Sequence, residues 1–194
     1  MAQLLAIELD FTAESIGNPS AEILKNCTHG VPIGEARHQN TMIDQRTPYV
    51  PNVNPADIAG PSRDIYARMG RENLYRMFEA FYRELGASAI RAMFPEDLIT
   101  SSRKSAAFFA QLVGGPQEYT EQFGPPRMRA RHLPFRITPR ARVEWLSCFE
   151  RVLAHAVDDF NFPAEHLEGF RQFLQKFSEW MVNEADDATG LRDP

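Results

Sequence analysis

The chain has 194 residues, 43% of them hydrophobic and 24% charged, with a formal net charge of −5. These values are typical of a globular protein with a real core, and the acidic balance argues against nucleic acid or an anionic membrane as the main partner. Two cysteines, Cys27 and Cys148, imply no disulfide framework and fit a reducing compartment, so we expect a cytoplasmic protein. The N-terminus has no basic leader and no apolar run is long enough to span a bilayer, which predicts neither a signal peptide nor a membrane segment.

Residues 1–60 form an extension that differs from the rest of the chain. Frequent proline and glycine predict non-regular backbone, with one or two helical turns over residues 20–25. The apolar residues are nevertheless too many to leave in water, so we expect an extended arm lying on the helical core or on a partner subunit. Those apolar residues are Leu4, Leu5, Ile7, Leu9, Phe11, Ile23, Leu24, Val31, Ile33, Met42, Ile43, Tyr49 and Val50. Cys27, His29 and His38 match no strong pattern of metal ligands.

Helical patterns begin at Ser62. A cap at Ser62 predicts a short helix that runs towards Met69 and is broken by Gly70. The spacing of apolar residues by three and four then predicts a longer helix over about 71–85, and a short irregular turn follows over 87–94.

The next predicted helix covers about 98–113 and stops at Gly114. Its inward face carries two serines beside apolar bulk: Ser101, Ser105, Phe108 and Leu112. The serines either line a cavity for a small polar ligand or bond back to carbonyls of their own helix.

The C-terminal part is predicted to be helical as well. A short helix is expected over 117–122, and Thr138-Pro139 starts a helix that runs to about residue 157. After a turn over 158–163, the last helix covers about 164–183. No strand alternation follows Ser62, so the predicted class is all-α, with a domain over 61–185 and a polar tail over 186–194.

The stretch from Arg127 to Ile137 places one imidazole among arginines. Pro134 disfavours helix at the preceding residue, so a helix that carries His132 should end there. With Leu133 and Phe135 as an apolar wall, such a histidine suits the axial ligand of a metal in a porphyrin, whose carboxylates the arginines would meet. The alternative is a surface loop with a solvated histidine.

Five motifs in sequence order make the chain resemble the group II truncated haemoglobins over about 62–183. They are Phe81-Tyr82, Phe94-Pro95-Glu96-Asp97-Leu98, Gly114-Gly115-Pro116 with Tyr119, Arg129-Ala130-Arg131-His132-Leu133-Pro134-Phe135-Arg136-Ile137, and Trp145-Leu146-Ser147-Cys148. The resemblance implies a globin-like fold, a two-over-two helical sandwich around haem b.

The resemblance also implies roles for single residues. His132 matches the histidine that ligates iron, and Tyr82 and Trp145 match donors to the bound gas. Ser101 and Ser105 match positions lining the ligand side, where serine at both departs from the family. The expected haem contacts are Phe94, Lys104, Phe108, Tyr119, Arg129, Arg131 and Phe135, with Lys104, Arg129 and Arg131 as candidates for the propionates. The alternative for Tyr82 and Trp145 is that both rings only pack in the core and do not contact the gas.

Three functions follow from these expectations. The first is a globin that binds dioxygen, carbon monoxide or nitric oxide at a pentacoordinate iron. The second is a haem enzyme on the same scaffold, peroxidase-like or converting nitric oxide to nitrate, which would need a separate reductase. The third is a haem-free interaction module. A second copy of the chain, forming a homodimer, is a further candidate partner.

Overall fold

The computed structural model describes residues 48–186. In this part of the chain all regular structure is helical, as the sequence predicts, and there is no strand. The α-helices are α1 (Ile65–Gly86), α2 (Leu98–Leu112), α3 (Glu118–Phe123), α4 (Met128–His132), α5 (Pro139–Leu153), α6 (Ala156–Phe160) and α7 (Ala164–Met181), with 3₁₀ turns at Pro55–Asp57 and Arg91–Met93.

The first long helix bends at a glycine. Gly70 has φ 74° and ψ 168°, a backbone conformation that residues with a side chain rarely adopt. The predicted break at Gly70 is therefore confirmed as a kink inside α1. The predicted cap is displaced: Asp64 precedes the first helical residue, Ile65, and the Ser62 hydroxyl accepts a hydrogen bond from the Asp64 N–H at 3.2 Å.

The predicted helix over 139–157 is two helices. α5 ends at Leu153, because the His155 N–H bonds to the Val152 carbonyl three residues back and so tightens the last turn. The segment α6 then occupies part of the predicted turn. It ends at Phe160, and the next residue, Asn161, has the left-handed conformation common after helices, with φ 52°.

Helices α1 and α2 pack against each other, and α5 packs against both α1 and α7. This arrangement of two helix pairs is the predicted two-over-two sandwich. Stacked and edge-to-face aromatic rings fill the space between the pairs. The Phe81 and Phe149 ring centroids lie 3.7 Å apart, and Phe78 and Phe109 contact Phe149 from the side. Each fully buried ring contributes roughly 1.5–3 kcal/mol by burial, so these rings hold the helices together.

The end of α2 approaches the start of α1 very closely. The Tyr66 N–H donates to the Val113 carbonyl at 3.0 Å. Gly114 follows with φ 100°, and a Cβ there would collide with the Arg63 carbonyl. Only glycine suits this joint, which is the stop that the sequence predicts.

Residues 48–60 lie against the helices. Pro51 is buried, Ile58 packs on the core, and the Tyr49 N–H donates to the Asn183 carbonyl at 2.8 Å. Tyr49 and Val50 are 45% and 76% exposed, so the expectation that these two side chains are buried is wrong.

Several expectations fall outside the described residues. They are the arm over residues 1–47 with its apolar groups, the helical turn over 20–25, the cluster Cys27, His29 and His38, and the tail after residue 186. Within the described helices, none is long and apolar enough to cross a membrane.

Candidate functional site

A cavity of about 340 Å³ lies between the helices, and its walls are mostly apolar. All predicted site residues except Arg129 line it: Tyr82, Phe94, Ser101, Lys104, Ser105, Phe108, Tyr119, Arg131, His132, Phe135 and Trp145. Residues far apart in sequence therefore meet in one place, as the resemblance implies.

His132 is the last residue of α4, which ends where Pro134 predicts. Its Nδ1 lies 2.7 Å from the Met128 carbonyl oxygen. Because a carbonyl only accepts, Nδ1 carries the hydrogen and the lone pair of Nε2 is left for a ligand. Burial lowers the pKa of His132, and the charge of Lys104 lowers it further, while the bond to Met128 opposes this. The imidazole is thus held neutral, the form that binds metals.

Two hydroxyl groups meet on another wall of the cavity. Tyr82 Oη and Ser105 Oγ lie 2.7 Å apart. Burial raises the pKa of Tyr82, and the hydrogen bond with Ser105 only partly opposes the rise. The phenol therefore keeps its proton and remains a hydrogen-bond donor. Trp145 lines the same cavity, with its ring edge-on to Phe81 and Phe149 at centroid distances of 5.6 and 4.6 Å.

The two serines of α2 differ. Ser101 donates to the Asp97 carbonyl of its own helix start at 2.9 Å, whereas Ser105 pairs with Tyr82. Ser101 therefore bonds back to a carbonyl of its own helix although it also lines the cavity, whereas the hydroxyl of Ser105 is bonded to a residue of another helix. Ser105 is the serine whose hydroxyl is tied to another polar group of the cavity.

Cationic side chains stand at the exposed edge of the cavity. Lys104 Nζ lies 4.8 Å from the centre of the Phe123 ring. Arg131 donates to the Phe123 and Pro125 carbonyls at 2.6 and 3.2 Å. Both side chains are exposed, so their charges reach the solvent side of the cavity.

Arg129 requires a correction. Its guanidinium is buried and donates to main-chain carbonyls of Trp180, Val182 and Tyr49, so it does not line the cavity. The expectation that Arg129 meets a propionate is therefore wrong. Charge alone could not reveal this, because the carbonyls belong to residues 51 to 80 positions away in sequence.

Other cavity residues were missed from the sequence. Helical spacing identifies Phe78, Phe81, Phe177 and Met181 as core residues without telling core from cavity wall. The other lining residues are not predicted as site residues: Ile90, Met93, Pro95, Phe109, Met128, Ile137, Ala141, Arg142 and Ser178.

The haem implied by the resemblance fits this donor set. The neutral imidazole nitrogen of His132 would be the ligand to iron, apolar walls suit a porphyrin disc, and exposed cations suit the carboxylates at its edge. Among residues 48–186, no group of three or more His, Cys, Asp and Glu side chains is placed to hold a metal ion.

Comparisons with known proteins agree on one family. A family model described as "Bacterial-like globin" matches residues 64–183. The group 2 truncated hemoglobin YjbI of Bacillus subtilis is 40% identical over 122 residues, which are 62% of this chain and 89% of that protein.

Two solved structures are similar as well. The group II truncated hemoglobin of Bacillus anthracis aligns with a TM-score of 0.59 and 33% identity, over 69% of this chain and 100% of that one. The structure of a truncated oxygen-avid haemoglobin from Bacillus subtilis aligns with a TM-score of 0.56 and 35% identity, over 61% of this chain and 98% of that one.

Proposed function

The chain belongs to the bacterial-like globins as a group II truncated haemoglobin, and on this premise we propose that it holds haem b through His132 and binds dioxygen or another diatomic gas. The observation that carries the proposal is the His132 imidazole. Its Nδ1 is bonded to the Met128 carbonyl, so Nε2 offers its lone pair in a cavity that also contains the Tyr82 hydroxyl. When bound, haem would supply the iron that takes the gas molecule.

Other residues of the cavity would contact the porphyrin ring and its propionates. Phe94, Phe108 and Tyr119 form apolar walls of the cavity against which the porphyrin would pack. Lys104 and Arg131 stand where charge-assisted hydrogen bonds to the propionates are open to them. Phe135 covers part of the rim beside His132, with ring centroids 6.1 Å apart.

Tyr82 and Trp145 are the donors proposed for the gas. Dioxygen gains partial negative charge on binding, and a donor in a dry cavity stabilises that charge. A relative from Bacillus subtilis is described as an oxygen-avid haemoglobin, which supports dioxygen as the ligand. Peroxide or nitric oxide turnover, a reductase, a homodimer and a cytoplasmic location have no specific observation in their favour among the described residues and stay predictions.

The test is the absorption spectrum of the purified full chain, oxidised, reduced and reduced with carbon monoxide. A strong haem band that moves on reduction and again with carbon monoxide is the expected result. A protein that takes up no haem when reconstituted would overturn the proposal and favour the interaction module instead.

A further inference from the structure

The helix that carries His132 is too short to hold its own direction. α4 has five residues, and isolated helices of that length are not stable. Its geometry must therefore be imposed by contacts with the rest of the molecule. Two buried polar side chains provide such contacts, Arg129 inside α4 and Asn183 just beyond α7.

Arg129 joins α4 to the end of α7. Its Nη1 donates to the Trp180 carbonyl and, at 3.0 Å, to the Val182 carbonyl. Carbonyls at the end of a helix lack partners within the helix and carry the negative end of its dipole. The buried guanidinium is thus stabilised by carbonyls and has no carboxylate partner within residues 48–186, and Arg129 lies three residues before His132.

Asn183 fastens the other side of His132. Its Nδ2 donates to the His132 carbonyl at 3.0 Å, while its Oδ1 accepts the Ile137 N–H at 3.0 Å. The Asn183 N–H also donates to the Ile137 carbonyl at 3.0 Å. The loop from His132 to Ile137 is therefore held at both ends by one residue, which is 2% exposed.

A third contact comes from before the first long helix. Arg129 Nη2 donates to the Tyr49 carbonyl at 2.8 Å, and the Tyr49 N–H donates to the Asn183 carbonyl at 2.8 Å. Tyr49 thus links the two side chains through its main chain. It lies outside residues 64–183, the part that matches the globin family model.

We propose that Arg129, Asn183 and the main chain of Tyr49 form a clamp that positions His132. We call it the proximal clamp, because it lies on the side of the cavity that carries His132. The clamp fixes where α4 ends, and the bond from Nδ1 to Met128 then fixes the rotation of the ring. Together they set the direction of Nε2 and hence the strength and geometry of its bond to iron. The inference rests on the proposed function, in which His132 holds haem. It makes the segment before α1 a part of the haem site.

The experiment compares full-length variants in two measurements. One is the resonance Raman band of the iron–histidine bond in the ferrous, ligand-free protein, and the other is the rate of haem transfer to excess apomyoglobin. Arg129→Met removes all three bonds to carbonyls. Asn183→Asp keeps the acceptor for Ile137 but loses the donor to His132. Both variants should shift or broaden the iron–histidine band and speed haem transfer about tenfold or more. Each leaves buried carbonyls unpaired, and Arg129→Met also removes hydrogen bonds from a charged donor.

Tyr49 allows a matched pair of variants. Tyr49→Pro removes the N–H that bonds to Asn183, whereas Tyr49→Ala removes only a half-exposed side chain. The first should move the band in the same direction as Asn183→Asp, and the second should leave it unchanged. Arg171→Met is the control for a loss of stability. Arg171 Nε of α7 donates to Glu150 Oε2 of α5 at 3.0 Å, and neither residue contacts the clamp. Arg171→Met should lower the melting temperature without moving the band.

The outcomes separate the clamp from the proposed function. A wild-type band that disappears in His132→Ala but is unmoved in Arg129→Met, Asn183→Asp and Tyr49→Pro overturns the clamp alone. If Arg129→Met does not fold, Arg129→Lys replaces it, since lysine keeps the charge but lacks the fork that reaches three carbonyls. A wild-type protein with no iron–histidine band, or a band that survives in His132→Ala, overturns the proposed function instead.

Discussion

The two sides of the cavity are built by different forces. On the distal side, where Tyr82 and Trp145 lie, long helices hold buried rings that contact one another, with Phe149 completely enclosed. The proximal side consists of α4 and the loop to Ile137, where Leu133 and Phe135 are 37% and 50% exposed. Its order comes from hydrogen bonds to main-chain carbonyls.

This difference has a physical consequence. Apolar burial is strong and non-directional, so the distal side should govern stability. Hydrogen bonds contribute less net free energy but fix angles, so the proximal side should govern the direction of one imidazole nitrogen. Substitutions on the two sides should therefore be separable by measuring unfolding and haem retention in the same variants.

The largest expected effect is the loss of haem in His132→Ala. The only proposed bond from the chain to iron disappears, while the side chain removed is partly exposed and lies outside the aromatic core. We expect haem content after desalting to fall to a small fraction of wild type, with the melting temperature of the haem-free protein nearly unchanged. His155→Ala is the control, because His155 is exposed at the joint of α5 and α6. Full haem content with an unchanged ferrous spectrum in His132→Ala would show that another residue holds the iron.

The opposite pattern is expected for Phe149→Ala. Phe149 is 0% exposed and contacts Phe78, Phe81, Phe109 and Trp145. Truncating it should lower the free energy of unfolding by about 3–5 kcal/mol, measured by urea denaturation of the haem-free protein.

Phe135→Ala is the matched substitution on the proximal side. Half of that ring is exposed, so its loss should change the free energy of unfolding by less than about 1 kcal/mol. Equal losses in the two variants would contradict the division of labour between the two sides.

The same division explains what the sequence could predict. The end of α4 at His132 and the stop at Gly114 follow from local rules, proline chemistry in one case and a backbone that only glycine suits in the other. The aromatic stripes of α1 and α5 follow from periodicity, because burial of one helix face repeats along the chain. Local and periodic signals were sufficient for the helical class and for the buried rings, whereas the two-over-two arrangement and the roles of Tyr82 and Trp145 were implied by the resemblance to the group II truncated haemoglobins.

The proximal side could not be predicted in that way. Arg129 was assigned to haem because arginine suits carboxylates, yet its acceptors are carbonyls that every residue carries and that leave no mark in the sequence. The sequence pattern identifies Asn183 only as the end of a helix, for the same reason. Long-range main-chain contacts are visible only in the folded chain.

The break between α5 and α6 at Ala154 is not predicted either, because apolar spacing continues across it from Leu153 to Ala156.

Within the distal side, Tyr82→Phe and Trp145→Leu test donation to the gas. Each removes a donor from a mostly apolar cavity, which is worth roughly 1–3 kcal/mol when the acceptor carries charge. Stopped-flow release of dioxygen should become about tenfold faster in Tyr82→Phe, and faster still in the double variant. The rate of haem transfer should stay as in wild type, because the proximal side is intact. Release rates equal to wild type in both single variants and the double would exclude distal donation by this pair.

The smallest expected effect separates the two serines of α2. Either oxygen of the pair of Tyr82 and Ser105 can be the donor, and a Ser105 hydroxyl that donates to Tyr82 Oη leaves the hydrogen of Tyr82 available to the gas in the cavity. Ser105→Ala should therefore free the Tyr82 hydroxyl to rotate and speed dioxygen release about threefold, the loss expected for one neutral hydrogen bond. Ser101→Ala removes a hydroxyl bonded to its own helix and should leave release unchanged. Slower release in Ser105→Ala would mean that Tyr82 donates to Ser105 and that the serine competes with the gas for the same hydrogen.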